Sequence, residues 1–165
     1  MTARVWIDKQ SPEVFSAMTR VVTVVREQAA RAGLDRALLE LVNVRVSQIN
    51  GCATCLDQHW RQAVAAGLTP QRLAVLPAWQ DVDLFDGRER AALELAEAVT
   101  RTADGHLDDD AYTRARADLT DDETSMLVWA AITINSFNRI SILSGHPIRE
   151  RDADGRVVPR EKVTR

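Results

Sequence analysis

Two cysteines occur in the 165 residues, and they stand close together: Cys52 and Cys55, followed by His59. On a helix these positions, at i, i+3 and i+7, share one narrow stripe. A thiol pair with an imidazole one turn further on suits dithiol redox chemistry. The imidazole can take a thiol proton, the resulting thiolate is the nucleophile, and the neighbouring thiol can trap an oxidised sulfur as a disulfide.

Glu40 is the acid that could serve this group. On one continuous helix from Asp35 to Ala66 it would stand about 18 Å along the axis from Cys52, at about 1.5 Å per residue. The Asn50-Gly51 step offers a break, because both residues tolerate non-helical backbone and glycine is the usual helix terminator. A chain reversal there predicts an antiparallel hairpin with Glu40 beside His59, where the carboxylate orients the imidazole. Cys52 then falls in the first turn of the second helix, where the helix dipole favours a thiolate.

Plainer roles stand beside these. Cys52 and Cys55 could be small buried hydrophobes. With His59 they could be three ligands of a structural zinc site, the fourth coming from His106, His146 or a carboxylate, although no second knuckle supplies it. His59 could be a surface or satisfied core residue, and Glu40 a solvated helix residue. His106 follows Gly105 in a loop and His146 precedes Pro147, and both read as structural or exposed. Asn135, Asn138 and Arg139, on an otherwise apolar stretch, read as a hydrogen-bond network that fixes helix packing or a subunit contact. Trp60 reads as core or interface.

The string ELVNVRVSQINGCATCLDQH, residues 40–59, resembles the core motif of the alkylhydroperoxidase D (AhpD-like) family within the carboxymuconolactone decarboxylase superfamily. The family's glutamate, two cysteines and histidine have counterparts at the same spacing, and the stretch with Asn135, Asn138 and Arg139 is similar to the family's last helix. The resemblance implies an all-α, AhpD-like helical domain whose helix-turn-helix carries the C-x-x-C motif. It implies a thiol-dependent peroxidase acting on alkyl hydroperoxides or hydrogen peroxide. Carried over from the family, Cys55 attacks the peroxide oxygen, while Cys52 supplies a proton and then closes the disulfide. Glu40 and His59 form the proton relay. No organic or metal cofactor is implied. A dithiol reductant is, which in some family members is a lipoyl-carrying protein. Thr54 stands where some members carry a further histidine directly before the second cysteine. Two other readings remain: a non-redox decarboxylase or lactone-type enzyme on the same fold, which would not depend on C-x-x-C, and a non-enzymatic helical module with a structural or zinc-bound dithiol.

Length and composition suit one domain over residues 1–165, with a core at 11–146 and a polar tail at 147–165. A formal net charge of −3 without a basic stripe argues against a nucleic-acid partner. The first residues hold no apolar run of signal-peptide length, which with the C-x-x-C pair points to the cytoplasm and to a functional dithiol. The run Met126 to Ile134 is interrupted by Thr133 and followed by Asn135, so it reads as a buried helix and not a membrane span.

Local signals order the elements. Residues 1–10 read as an extended arm. Ser11-Pro12-Glu13 starts a helix that ends at Gly33. Asp35 caps a helix apolar around most of its surface, and the Cys52 helix runs to Ala66. Thr69-Pro70 caps a short helix to Leu76, and Pro77 to Gly87 reads as a loop. Helices follow over 88–101 and 108–118, and the capping box Thr120 to Glu123 opens a long apolar helix to Ser144. Two helices apolar on nearly all sides exceed what a small chain can cover, which predicts a homo-oligomer, and the family resemblance makes it a trimer or a hexamer.

Overall fold

The computed structural model describes residues 4–152 and 154–158. Among these residues lie eight α-helices, one 3-10 helix and no strand beyond an isolated bridge between Arg151 and Val157. The class is all-α, as the patterning predicts. The arm expected at the N-terminus is in part a helix, α1 (Ile7–Gln10). Tertiary docking induces that turn: the Ile7 N–H donates to Ser144 Oγ at 3.2 Å, and the Trp6 carbonyl accepts from Lys9 and Gln10.

Helix α2 (Pro12–Arg31) begins on proline, although the Ser11 side chain makes no capping bond. Helix α3 (Arg36–Asn50) is capped by Asp35, whose Oδ1 accepts the Leu38 N–H at 2.8 Å. Helices α4 (Ala53–Ala65) and α5 (Pro70–Val75) follow. The expected loop after Pro77 is partly a 3-10 helix (Leu76–Asp81). Apolar anchors tighten it: Leu76, Trp79 and Phe85 are buried, and Trp79 Nε1–H donates to Glu97 at 2.8 Å. Helix α6 (Gly87–Thr100) has a capping box between Asp86 and Glu89. After α7 (Asp109–Arg116), helix α8 (Asp121–Ser144) starts on the predicted Thr120–Glu123 box and ends at Gly145 with φ 65°.

Helix α3 is the centre of the core. It packs against α4, α6 and α8, and Leu41, Val42, Val44 and Val46 are fully enclosed. Each such burial contributes about 1.5–3 kcal/mol. By length and composition α8 is apolar enough to cross a membrane, and here α2, α3 and α6 pack against it.

The amides of α8 form the network that their position predicts. Asn50 Nδ2 donates to Asn135 Oδ1 and Asn138 Oδ1, each at 2.9 Å, and Asn138 Nδ2 donates to Ser47 Oγ at 3.1 Å. Asn135 Nδ2 reaches Thr100 Oγ1 at 3.0 Å, and Arg139 donates to the Asn135 carbonyl. The C-terminal ends of α3 and α6 are thereby bonded to the middle of α8. Replacing Asn138 with alanine strands Ser47 and removes one acceptor from Asn50. We expect Asn138→Ala to cost about 1–3 kcal/mol, which lowers the melting temperature by about 2–4 °C per kcal/mol in a chain of this size. An unchanged thermal melt would show that the network does not hold these helices.

Candidate active site

The site begins at the end of α3. Gly51 adopts φ 65° and ψ 31°, its N–H donates to Gln48, and the Cys52 N–H donates to the Ser47 carbonyl at 3.0 Å. This is a glycine-terminated helix end of the Schellman type. No atom lies within 4 Å of a Cβ built on Gly51, so the glycine answers to backbone angle and not to space. The next helix starts without a connecting loop: Cys52 is itself the N-cap residue of α4, and its carbonyl accepts the Leu56 N–H at 2.9 Å.

That placement corrects the expectation for Cys52. It stands at the cap and not inside the first turn, because its N–H still closes the α3 terminus. Cys55 takes the third position of α4, so Cys55 is the sulfur over the positive end of the helix, where a thiolate is favoured. The stripe expected of three residues reduces to Cys55 and His59, one turn apart on α4.

The two sulfurs are bonded to each other, with the Cα atoms 5.4 Å apart. They differ in access. Cys52 is 1% exposed, while Cys55, 6% exposed, borders a cavity of about 460 Å³ between α2, α3, α4 and α8. Val22, Val25, Leu39, Ile134 and Phe137 make its walls apolar, and Phe15 packs edge-on against Phe137 with ring centres 5.9 Å apart. Glu40 and His59 border the same space, and Cys52 does not.

The reversal brings Glu40 to His59 as the hairpin predicts: Glu40 Oε2 lies 2.7 Å from His59 Nδ1. An imidazole that gives Nδ1–H to a carboxylate keeps its Nε2 lone pair for a proton. Glu40 has no solvent exposure. Its Oε2 also accepts from Asn43 at 3.3 Å, and its Oε1 lies 2.6 Å from an Arg36 guanidinium nitrogen. That last approach is close but poorly aligned, so Oε1 gains charge compensation without a true hydrogen bond. Burial by itself would push the Glu40 carboxyl up. The hydrogen bond and charge of His59, the Arg36 charge and the Asn43 amide outweigh it and hold Glu40 below the usual carboxylate range.

Arg36 and Asn43 were not singled out from sequence, although i, i+4 and i, i+3 spacing to Glu40 is a readable signal. His146, read as structural or exposed, in fact borders the cavity. The fold brings it there by docking the end of α8 on the start of α4, where Thr54 Oγ1 donates to the His146 carbonyl at 3.0 Å. His106 is exposed and Trp60 is 43% exposed, so neither belongs to this cavity or to the core.

A carboxylate whose folded pKa is depressed contributes stability above its unperturbed value, and that contribution is lost as pH falls through the folded value. We expect Glu40→Gln to be less stable than the parent by about 1–3 kcal/mol at neutral pH. The gap should stay level down to the unperturbed value near 4.5 and close below it as Glu40 protonates. Urea unfolding across that range measures it. A gap that widens in acid would mean that the buried carboxylate is not ionised.

The chain is similar to known proteins. The model of the carboxymuconolactone decarboxylase family matches residues 12–98. An uncharacterised Bacillus subtilis protein, YdfG, is 36% identical over 134 residues, 81% of this chain and 91% of that one. The alkyl hydroperoxide reductase AhpD of Corynebacterium aurimucosum is 31% identical over 75 residues, 46% of this chain and only 40% of that protein. A solved structure from Agrobacterium tumefaciens, a protein of unknown function described as a candidate antioxidant defence protein AhpD, superposes with a TM-score of 0.80 at 32% identity, over 89% of this chain and 99% of that one. With a family model matching more than half of its residues and relatives aligned along nearly their full length, the chain belongs to the carboxymuconolactone decarboxylase family, among its AhpD-like members.

Proposed function

We propose that the protein is a thiol-dependent peroxidase working through the Cys52–Cys55 dithiol. The observation that carries this is the unequal placement of the sulfurs. Cys55 opens on an apolar cavity beside a carboxylate-anchored imidazole, and Cys52 lies enclosed within bonding distance behind it. In the reduced protein His59, oriented by Glu40, takes the Cys55 proton. The thiolate attacks the terminal oxygen of the peroxide and the O–O bond breaks, giving a Cys55 sulfenic acid and an alkoxide, or hydroxide from hydrogen peroxide, which takes up a proton and leaves as the alcohol or water. Cys52 displaces hydroxide from that sulfur, which leaves as water with the Cys52 proton, and the disulfide forms. An external dithiol then reduces it by exchange. Lipoyl groups are one chemical class of such a donor. A non-redox decarboxylase would have no use for a sulfur pair placed in this way.

Peroxide consumption driven by a panel of dithiol reductants tests the reading. Cys55→Ser should abolish turnover, to below about 10⁻² of the parent rate. Cys52→Ser should stop turnover yet leave a sulfenic acid at Cys55 that dimedone traps. Trapping at Cys52 in Cys55→Ser, with none at Cys55 in the reverse variant, would invert the roles. Two free thiols surviving peroxide treatment of the parent would end the peroxidase reading.

The protein acts, in this proposal, as a homo-oligomer, a trimer or a hexamer, made of copies of this chain. Support comes from the outer side of α8, where Trp129, Ile132 and Leu143 stay 49%, 40% and 64% exposed at helical spacing. Apolar side chains aligned in this way fit a subunit contact. Light scattering coupled to gel filtration should give a multiple of 18.4 kDa, and a monomer mass at micromolar concentration would refute the assembly.

A further inference from the structure

Peroxide cleavage needs two proton movements, and the Glu40–His59 pair accounts for one. When the O–O bond breaks, the leaving oxygen carries both bonding electrons and must be protonated. The family resemblance assigns that proton to Cys52, yet Cys52 does not border the cavity. A different group does. His146 borders the cavity together with Cys55 and His59, and its side chain is only 18% exposed.

His146 is also built like a working imidazole. Its Nε2 lies 3.0 Å from Oδ1 of Asp8, a carboxylate 138 positions away that is itself buried. Its Nδ1 has no hydrogen-bond partner among the described residues. Three contacts hold the residue in place. Thr54, the residue before Cys55, donates from Oγ1 to its carbonyl; its N–H donates to Ser141 at 3.1 Å; and Trp6 packs edge-on against the ring at 5.2 Å. Apolar side chains would dock the chain start on the end of α8 equally well, whereas a buried carboxylate–imidazole pair carries a desolvation cost. Burial would raise the Asp8 carboxyl, but the hydrogen bond and charge of His146, helped by Lys9, hold it below its ordinary range. Asp8 is therefore the ionised partner that an imidazolium needs. The other charged groups facing this region are Arg4, which caps the end of α8, and Arg26, Glu40 and His59 around the cavity.

We infer that His146 is a second catalytic imidazole of the cavity, which protonates the oxygen leaving from a peroxide attacked by Cys55, and that Asp8 is its positioning residue. The inference rests on the peroxidase reading. The Cys55 thiolate forms an S–O bond to the terminal oxygen of ROOH, the O–O bond breaks, and its electron pair leaves on RO. The His146 imidazolium gives its proton to form ROH. The sulfur is oxidised by two electrons to sulfenic acid, the peroxide is reduced by two, and neutral His146 regains a proton from solvent.

A pair of oxidants with aromatic bodies tests this. Cumene hydroperoxide leaves as an alkoxide and needs a proton, whereas 3-chloroperbenzoic acid leaves as a carboxylate and does not. Single-turnover oxidation of the prereduced protein gives both rates. His146→Gln should slow the reaction with cumene hydroperoxide by about 10²- to 10⁴-fold and leave the peracid rate within a few-fold. Asp8→Asn, which keeps shape and loses charge, should show the same selectivity with a smaller loss, and it carries the test should His146→Gln fail to fold. Equal slowing with both oxidants would reduce His146 to a structural role and overturn the inference, as would an unchanged cumene hydroperoxide rate. A parent protein oxidised by neither would remove the peroxidase reading itself, a distinct result.

Discussion

Glu40 is a carboxylate with no exposure to solvent, at the centre of a bundle whose core is mostly aliphatic. A charge in that position is tolerated only if donors surround it, because desolvation otherwise costs several kcal/mol. Much of the local architecture supplies those donors. Arg36 and Asn43 come from the same helix, at spacings that need only α3 to be helical. His59 comes from the next helix and needs α4 to run back alongside α3. That return depends on Gly51 in the left-handed region and on Cys52 both closing one helix and opening the other. The constraint that satisfies the buried acid is thus the same one that sets the sulfurs at the mouth of α4. The amide network beyond it bonds the end of α3 to α6 and α8, so the reversal sits on a rigid base, as a site with tight geometric demands requires.

Helix α8 explains how so short a chain encloses both a core and a cavity. Its apolar residues point in several directions because they meet different surroundings. One side, with Ile134 and Phe137, forms a wall of the cavity. Another, with Asn135 and Asn138, bonds to α3 and α6. A third, with Trp129 and Ile132, stays exposed. A helix apolar all round therefore does not signal one uniform environment. Its last turn matters as much as its middle, because Gly145 turns the chain so that His146 meets Thr54 and Asp8.

The chain's relation to its relatives differs in extent from one to the next. The matched region of the Corynebacterium reductase is a minority of that protein, whereas the Bacillus and Agrobacterium relatives align along nearly their whole length. Family membership therefore rests on the whole helical frame, and the peroxidase reading on the geometry of one cavity. Thr54 shows how the two can diverge. Where some family members carry an imidazole, this chain carries a hydroxyl that holds the backbone of a different histidine.

The sequence by itself determined whatever is local. Caps at Asp35, Thr69 and Thr120, the all-α class, the break at Asn50-Gly51 and the meeting of Glu40 with His59 all follow from residues within a few turns of each other, where backbone preference leaves few alternatives. The amides of α8 were legible as a network because buried polar groups must find partners, although their partners were not. Only tertiary structure decided the rest. It moved Cys52 from the first turn of α4 to its cap, since a carbonyl of α3 still claims its N–H. It coiled residues 7–10 and 76–81, which need Ser144 and a buried Trp79 to hold them. It also chose which sulfur faces the cavity and brought Asp8 to His146 across most of the chain. Contacts at that separation depend on how helices pack, and packing is set by the sum of all apolar faces and not by any spacing that can be read along the chain.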